Sequence, residues 1–139
     1  MYERVLKTDG HHGEHWARFI MNKKVAELIN SLPIDRIDVL EISGTNWKDL
    51  NFKSYDSVQF PDFDICESKT DRKYDLIIAE QVFEHLAYPY RAAKNIASNL
   101  KPKGRILITT PFLIKIHKCP IDCTRWTETG MQYFLEAIS

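Results

Sequence analysis

The run Tyr74-Asp75-Leu76-Ile77-Ile78-Ala79 constrains the fold most, because it carries apolar side chains on both faces before breaking into Glu80 and Gln81. A half-exposed strand alternates, whereas a strand that is apolar on both sides must be covered above and below. That is the situation of a central parallel strand between helical layers. Residues 105–110 form a similar run ended by Pro111, and residues 37–42 a shorter one that is interrupted by Asp38 and Glu41 and stops at Ser43-Gly44-Thr45. Weak alternation over 55–60, ending at Pro61, predicts another strand, and residues 62–66 the end of a further one.

Helical patterns separate these runs. Over residues 14–32 the apolar positions Trp16, Phe19, Ile20, Val25, Leu28, Ile29 and Leu32 recur at three and four, predicting one apolar face closed off by Pro33. A short helix is expected near 47–51. Pro89 suits the first turn of a helix to Leu100 with Tyr90, Ala93, Ile96, Ala97 and Leu100 inward, stopped by Lys101-Pro102-Lys103-Gly104. Thr127 can cap a last helix over 128–138 that buries Met131, Phe134 and Leu135. Alternation of strand and helix argues for an α/β fold with a doubly wound, mostly parallel sheet.

With 139 residues, 44% of them hydrophobic, one domain over 1–139 is expected: an N-terminal loop and helix (1–36), a core (37–111) and a loop with a C-terminal helix (112–139). Nineteen basic residues balance nineteen acidic ones, so no broad grip on nucleic acid or anionic lipid is expected, and a small-molecule partner fits better. No apolar run suits a bilayer, and Met1-Tyr2-Glu3-Arg4 lacks the basic-then-apolar pattern of a secretory leader; a cytoplasmic location is the expectation. Cys66, Cys119 and Cys123 are too few for a disulfide scaffold. His117, Cys119 and Cys123 lack the paired spacing and fourth ligand of a zinc site, so no metal is assigned. The histidines of Asp9-Gly10-His11-His12-Gly13-Glu14-His15 read as an entry loop.

In open α/β sheets the ligand lies outside the carboxyl ends of the strands where the strand order reverses. That nominates the turn after Ile42, the segment around Asp62 and Asp64, and residues 80–85. In these places Val39-Leu40-Glu41-Ile42-Ser43-Gly44-Thr45, Tyr74 through Leu86 with its Glu84-His85-Leu86, and Leu100-Lys101-Pro102-Lys103-Gly104 with the strand to Pro111 resemble the motifs of the class I S-adenosylmethionine-dependent methyltransferases. The resemblance runs from about Asp38 to Leu135. It implies a Rossmann-like sheet, here either abbreviated at its C-terminal end or cut short in a fragment of a longer methyltransferase, and S-adenosylmethionine as cofactor. Where that family carries two or three glycines after the acidic residue, this chain offers Gly44 alone, among Ser43, Thr45 and Trp47.

The resemblance further implies Glu41 near the methionyl amino group, directly or through water, with Ser43, Gly44 and Thr45 as the turn around it. Asp62 is expected at the ribose, Asp64 and Ile65 near adenine, and Glu80 and Gln81 near the sulfonium. A strand-end carboxylate that caps a neighbouring turn is the alternative for Glu41. His85 and His117 are candidate bases, against a packed, hydrogen-bonded role for His85. Asp122, Arg125 and Trp126 form the acceptor-side loop, with Asp122 and Arg125 either touching substrate or pairing to fix that loop. Gly44→Val is expected to abolish cofactor binding while sparing the fold. The abbreviated sheet leaves residues 105–110 on an edge, where a second copy in a homodimer is expected. The leading function is methyl transfer to a small-molecule or glycan-type acceptor. The rivals are a binding module without turnover and a nicotinamide-dependent oxidoreductase, which predicts a fuller glycine turn than this one.

Overall fold

A computed structural model describes residues 16–116, 118 and 120–137. The chain forms two compact units, one ending at Ile34 and the other running from Asp35. In the first, helix α1 (Trp16–Asn30) buries Val25, Ala26 and Ile29. Its apolar face is narrower than the sequence suggests: Trp16 and Leu28 are exposed, and Trp16 stacks on Phe19 along the helix with ring centroids 5.6 Å apart. Among the described residues no helix is long and apolar enough to cross a membrane.

The second unit is a four-stranded parallel sheet with strands β1 (Asp38–Ile42), β2 (Ser54–Val58), β3 (Tyr74–Glu80) and β4 (Leu100–Thr109), in the order β2-β1-β3-β4. All of β1 is buried, and so are Leu76 to Ala79 of β3, which meets the expectation for strands covered on both faces. After β1 the chain steps outward to β2; after β3 it steps the other way to β4. The order therefore reverses between β1 and β3. Helix α2 (Pro89–Ser98) joins β3 to β4, burying Ala92, Ala93 and Ile96, while Tyr90 lies outside that face. Helix α3 (Glu128–Glu136) starts as predicted, with the Thr127 hydroxyl accepting from Gly130 N, and buries Phe134.

Three local readings change. Residues 47–50 form turns instead of a helix, and 62–66 form turns instead of a strand end. The apolar signal at Ile65 and Cys66 comes from side chains that turn into the core without joining the sheet. Strand β4 also begins earlier than predicted. Tyr74 pairs with Leu100 and Leu76 with Arg105, so residues 101–104 bulge out opposite a single residue, with Lys103 at φ 66°. Gly104 belongs to this bulge and not to a helix stop: a Cβ there would meet Lys101 O at 2.9 Å and Tyr74 O at 3.0 Å.

The bulge brings Lys101 onto Asp75 (2.7 Å) and into a short contact with Asp38, which also accepts from Ser54 Oγ at 2.7 Å. The Lys101 ammonium and the Ser54 hydroxyl hold the Asp38 carboxyl well below its usual range. A depressed carboxyl stabilises the fold above its unfolded pKa of about 3.9, and that contribution is lost as pH falls through the folded value. Stability is therefore expected to drop from about pH 4 downward, and Asp38→Asn to flatten that drop. Urea unfolding at a series of acidic pH values checks it; an identical slope in the variant would exclude Asp38 as the source.

Candidate active site

The tips of β1 and β3 lie side by side, as Glu41 pairs with Ile78 in register. Trp47 joins them across the crevice, donating its indole N–H to Glu80 Oε2 at 2.6 Å. Two residues at these tips have left-handed backbone, Ser43 (φ 59°) and Gln81 (φ 55°). Each costs about 1 kcal/mol or more for a residue with a Cβ, and such strain concentrates at functional sites. Both are held in place: Ser43 N donates to Val58 O at 2.8 Å, and Gln81 N to Thr109 O at 2.9 Å. The turns after β1 and β3 are thus anchored to the two outer strands, β2 and β4.

Glu41 has the role of its alternative reading. Only 2% exposed, it accepts from Asn46 N (2.9 Å), Trp47 N (3.1 Å) and Tyr55 Oη (2.6 Å). It caps the turn that follows its own strand, so its oxygens are not presented to a ligand. Burial, then the neighbouring carboxylate, push the Tyr55 hydroxyl well above its usual pKa, which keeps it a donor. This changes the meaning of Gly44. A Cβ there would lie 2.4 Å from Glu41 Oε1, so the glycine makes room for the capping carboxylate. Gly44→Val therefore strikes the fold itself, contrary to the expectation from sequence.

The remaining residues expected near the donor divide. Ser43 and Thr45 are exposed on the turn, and Gly44 O accepts from Ser57 Oγ at 2.7 Å. Asp62 is exposed; Asp64 is partly buried and accepts from Cys66 N at 2.8 Å. Ile65 is 5% exposed and packs in the core, which removes it from an adenine slot. Glu80 and Gln81 are partly buried at the β3 tip.

Beyond that tip the 3-10 turn Phe83–His85 is strapped to the loop before α3. Cys123 N and Thr124 N donate to Glu84 O at 2.7 and 3.2 Å, and Thr124 Oγ1 to Phe83 O at 3.1 Å. The His85 ring is gripped from both ends: Nδ1 donates to Ile121 O in a short contact, and Nε2 faces the fully buried Glu84 at 3.7 Å. Its packed, hydrogen-bonded reading is the one the geometry supports, and the role of base is withdrawn. His117 lies outside the described residues. Asp122 and Arg125 form a two-pronged ion pair, with Nη2 to Oδ2 at 2.6 Å and a shorter Nη1 contact to Oδ1. The Asp122 carboxylate, with Glu84 adding to it, holds the Arg125 guanidinium firmly charged. Trp126, partly buried, packs against Phe134 with ring centroids 4.7 Å apart; its Nε1 is buried without a hydrogen-bond partner among the described residues.

Sequence reasoning missed Tyr55, Thr109 and the reach of Trp47 to Glu80. Tyr55 was open to inference, since it sits two residues before Ser57, the partner of Glu41 on the adjacent strand, and so shares its face. The Trp47 contact spans 33 residues of sequence and carries no local signal.

A family model described as a methyltransferase domain matches residues 5–133. Malonyl-[acyl-carrier protein] O-methyltransferase of Halalkalibacterium halodurans is 32% identical over 90 residues, covering 60% of this chain and 33% of that protein. The chain thus spans about a third of the length of that curated relative. Among solved structures, the N-methyltransferase NodS from Bradyrhizobium japonicum WM9 matches with a TM-score of 0.57 at 17% identity, covering 86% of this chain and 82% of that one. At that identity the likeness is one of fold.

Proposed function

Because the chain belongs to the class I methyltransferase family, we propose that it transfers a methyl group from S-adenosylmethionine to a small-molecule or glycan-type acceptor. The observation that carries this reading is the bridged pair of strand tips, Trp47 to Glu80, at the point where the strand order reverses. Three features fit an adenosyl donor. The turn at Ser43, Gly44 and Thr45, exposed at Ser43 and Thr45, would offer backbone to the methionyl part; Asp62, exposed after β2, suits the ribose diol; and Glu80 and Gln81 stand partly buried at the β3 tip. When bound, the donor supplies an electrophilic methyl on a sulfonium. The chain's own task is positional: to hold two reactants in line and exclude water, with no covalent nucleophile required. Glu41 serves at one remove by fixing the turn. One relative is named for O-methylation and the other for N-methylation, so kinship leaves the acceptor atom open.

Thermal unfolding with S-adenosylhomocysteine tests the reading. At a hundred times its dissociation constant it should add about 2.7 kcal/mol of stability, with NAD adding nothing, and Asp62→Ala should lose most of that gain. No stabilisation by S-adenosylhomocysteine would overturn it. A second reading, a binding module without turnover, is favoured by the single-glycine turn stapled by Glu41. Donor binding with no methyl transfer across a panel of acceptors would select it.

A further inference from the structure

The turn after β1 is fixed from inside and from outside. Inside, Glu41 accepts from Asn46 N and Trp47 N. Outside, the anchors come from the end of β2: Ser43 N donates to Val58 O at 2.8 Å, and the Ser57 hydroxyl donates to Gly44 O at 2.7 Å. Ser57 stands opposite Glu41 in the register of β1 and β2 and two residues from Tyr55, so these side chains share one face of the sheet. Inner and outer anchors meet at Tyr55. Its hydroxyl donates to Glu41, and while burial and then Glu41 raise its pKa, Ser57 close beside it works against them.

The contact from Ser57 decides how one peptide unit faces. A trans peptide is planar, so its carbonyl and its N–H point in opposite directions. With Gly44 O turned toward Ser57 of β2, the Thr45 N–H is turned away from that strand. Neither Thr45 N nor Gly44 N donates to any described residue, and Thr45 is exposed. The neighbouring anchors, at Ser43 N and Asn46 N, do not belong to this peptide unit. Glycine has the widest backbone freedom of any residue, so without the Ser57 hydroxyl the Gly44–Thr45 peptide can turn over.

Resting on the methyltransferase reading, we infer that Ser57 is a positioning residue for the methionyl part of the donor: its hydroxyl sets the Gly44–Thr45 peptide so that the Thr45 amide is presented to the donor's carboxylate. Ser57 touches no reacting atom and acts through the turn. It is exposed, and its bond to Gly44 O is one that water replaces at little cost to folding. The effect of losing it therefore falls on binding.

Calorimetric titration of the full chain with S-adenosylhomocysteine and with methylthioadenosine tests the inference, because both carry the adenosyl thioether and only the first carries the amino-acid part. Ser57→Ala is expected to weaken S-adenosylhomocysteine about three- to tenfold while methylthioadenosine stays within about twofold and the urea midpoint is nearly unchanged. Ser57→Thr, which keeps the hydroxyl on a residue suited to strands, should restore the wild-type affinity. An equal loss for both ligands marks a merely structural role and overturns the inference, as does no loss for either, or no rescue by threonine. In each of those cases binding of S-adenosylhomocysteine by the wild type leaves the donor reading standing. A wild-type chain that binds neither ligand removes the donor reading and this inference with it.

Discussion

Glu41→Ala is expected to cost roughly 3–5 kcal/mol of folding stability. The change removes the acceptor for Asn46 N, Trp47 N and Tyr55 Oη together; the Trp47 donor is buried and the bonds from the other two are partly so, and a donor left buried without a partner costs about 1–3 kcal/mol. The same geometry makes a finer statement about Gly44. In the wild type, Gly44→Ala drives a Cβ against Glu41 Oε1, a tip that cannot swing aside without giving up Asn46 N. In the Glu41→Ala background that obstacle is gone. A double-mutant cycle should therefore show a coupling of about 1–2 kcal/mol between the two positions, measured by urea unfolding. Strict additivity would return Gly44 to the role assigned from sequence, a bare backbone kept for close approach of the donor.

Phe83→Ala is expected to lose about 3–5 kcal/mol, a large part of the 5–15 kcal/mol that a domain of this kind holds in total. Phe83 is fully buried, meets Phe134 edge-on with centroids 5.9 Å apart, and its carbonyl receives Thr124 Oγ1. Truncation opens a cavity between the sheet and α3 and loosens the strap at the same time. Equilibrium unfolding reads the first effect. A loss below about 1 kcal/mol would mean that the site collapses to fill the void.

Much of the architecture was legible because it rests on side-chain hydrophobicity in sequence. Leu76 to Ala79 could only be a covered strand, and Thr127 could cap only what followed it. Legibility failed where burial and secondary structure part company. Ile65 and Cys66 are buried from a turn, and Trp16 is apolar yet exposed. At the site, the strand tips were predicted correctly as neighbours. The use of the side chains there was not, because that depends on partners across the sheet. Glu41 is satisfied by a tyrosine on another strand, and His85 by a carbonyl 36 residues away. A carboxylate at a strand end looks the same in sequence whether it faces a ligand or its own turn.

Glu80, at the β3 tip where the donor is proposed, and His85, in the turn strapped to the loop before α3, are separated by only four residues of chain. Fully extended, a six-residue stretch reaches about 20 Å, and the tight turn over Phe83–His85 shortens it. If the proposed donor and acceptor places are right, this stretch would act as a ruler between them, with its length set by covalent bonds and its far end pinned by Cys123 and Thr124. On the proposed function the register of the two reactants would then be written into the backbone, and insertion of even one residue here would offset them by more than an in-line reaction tolerates.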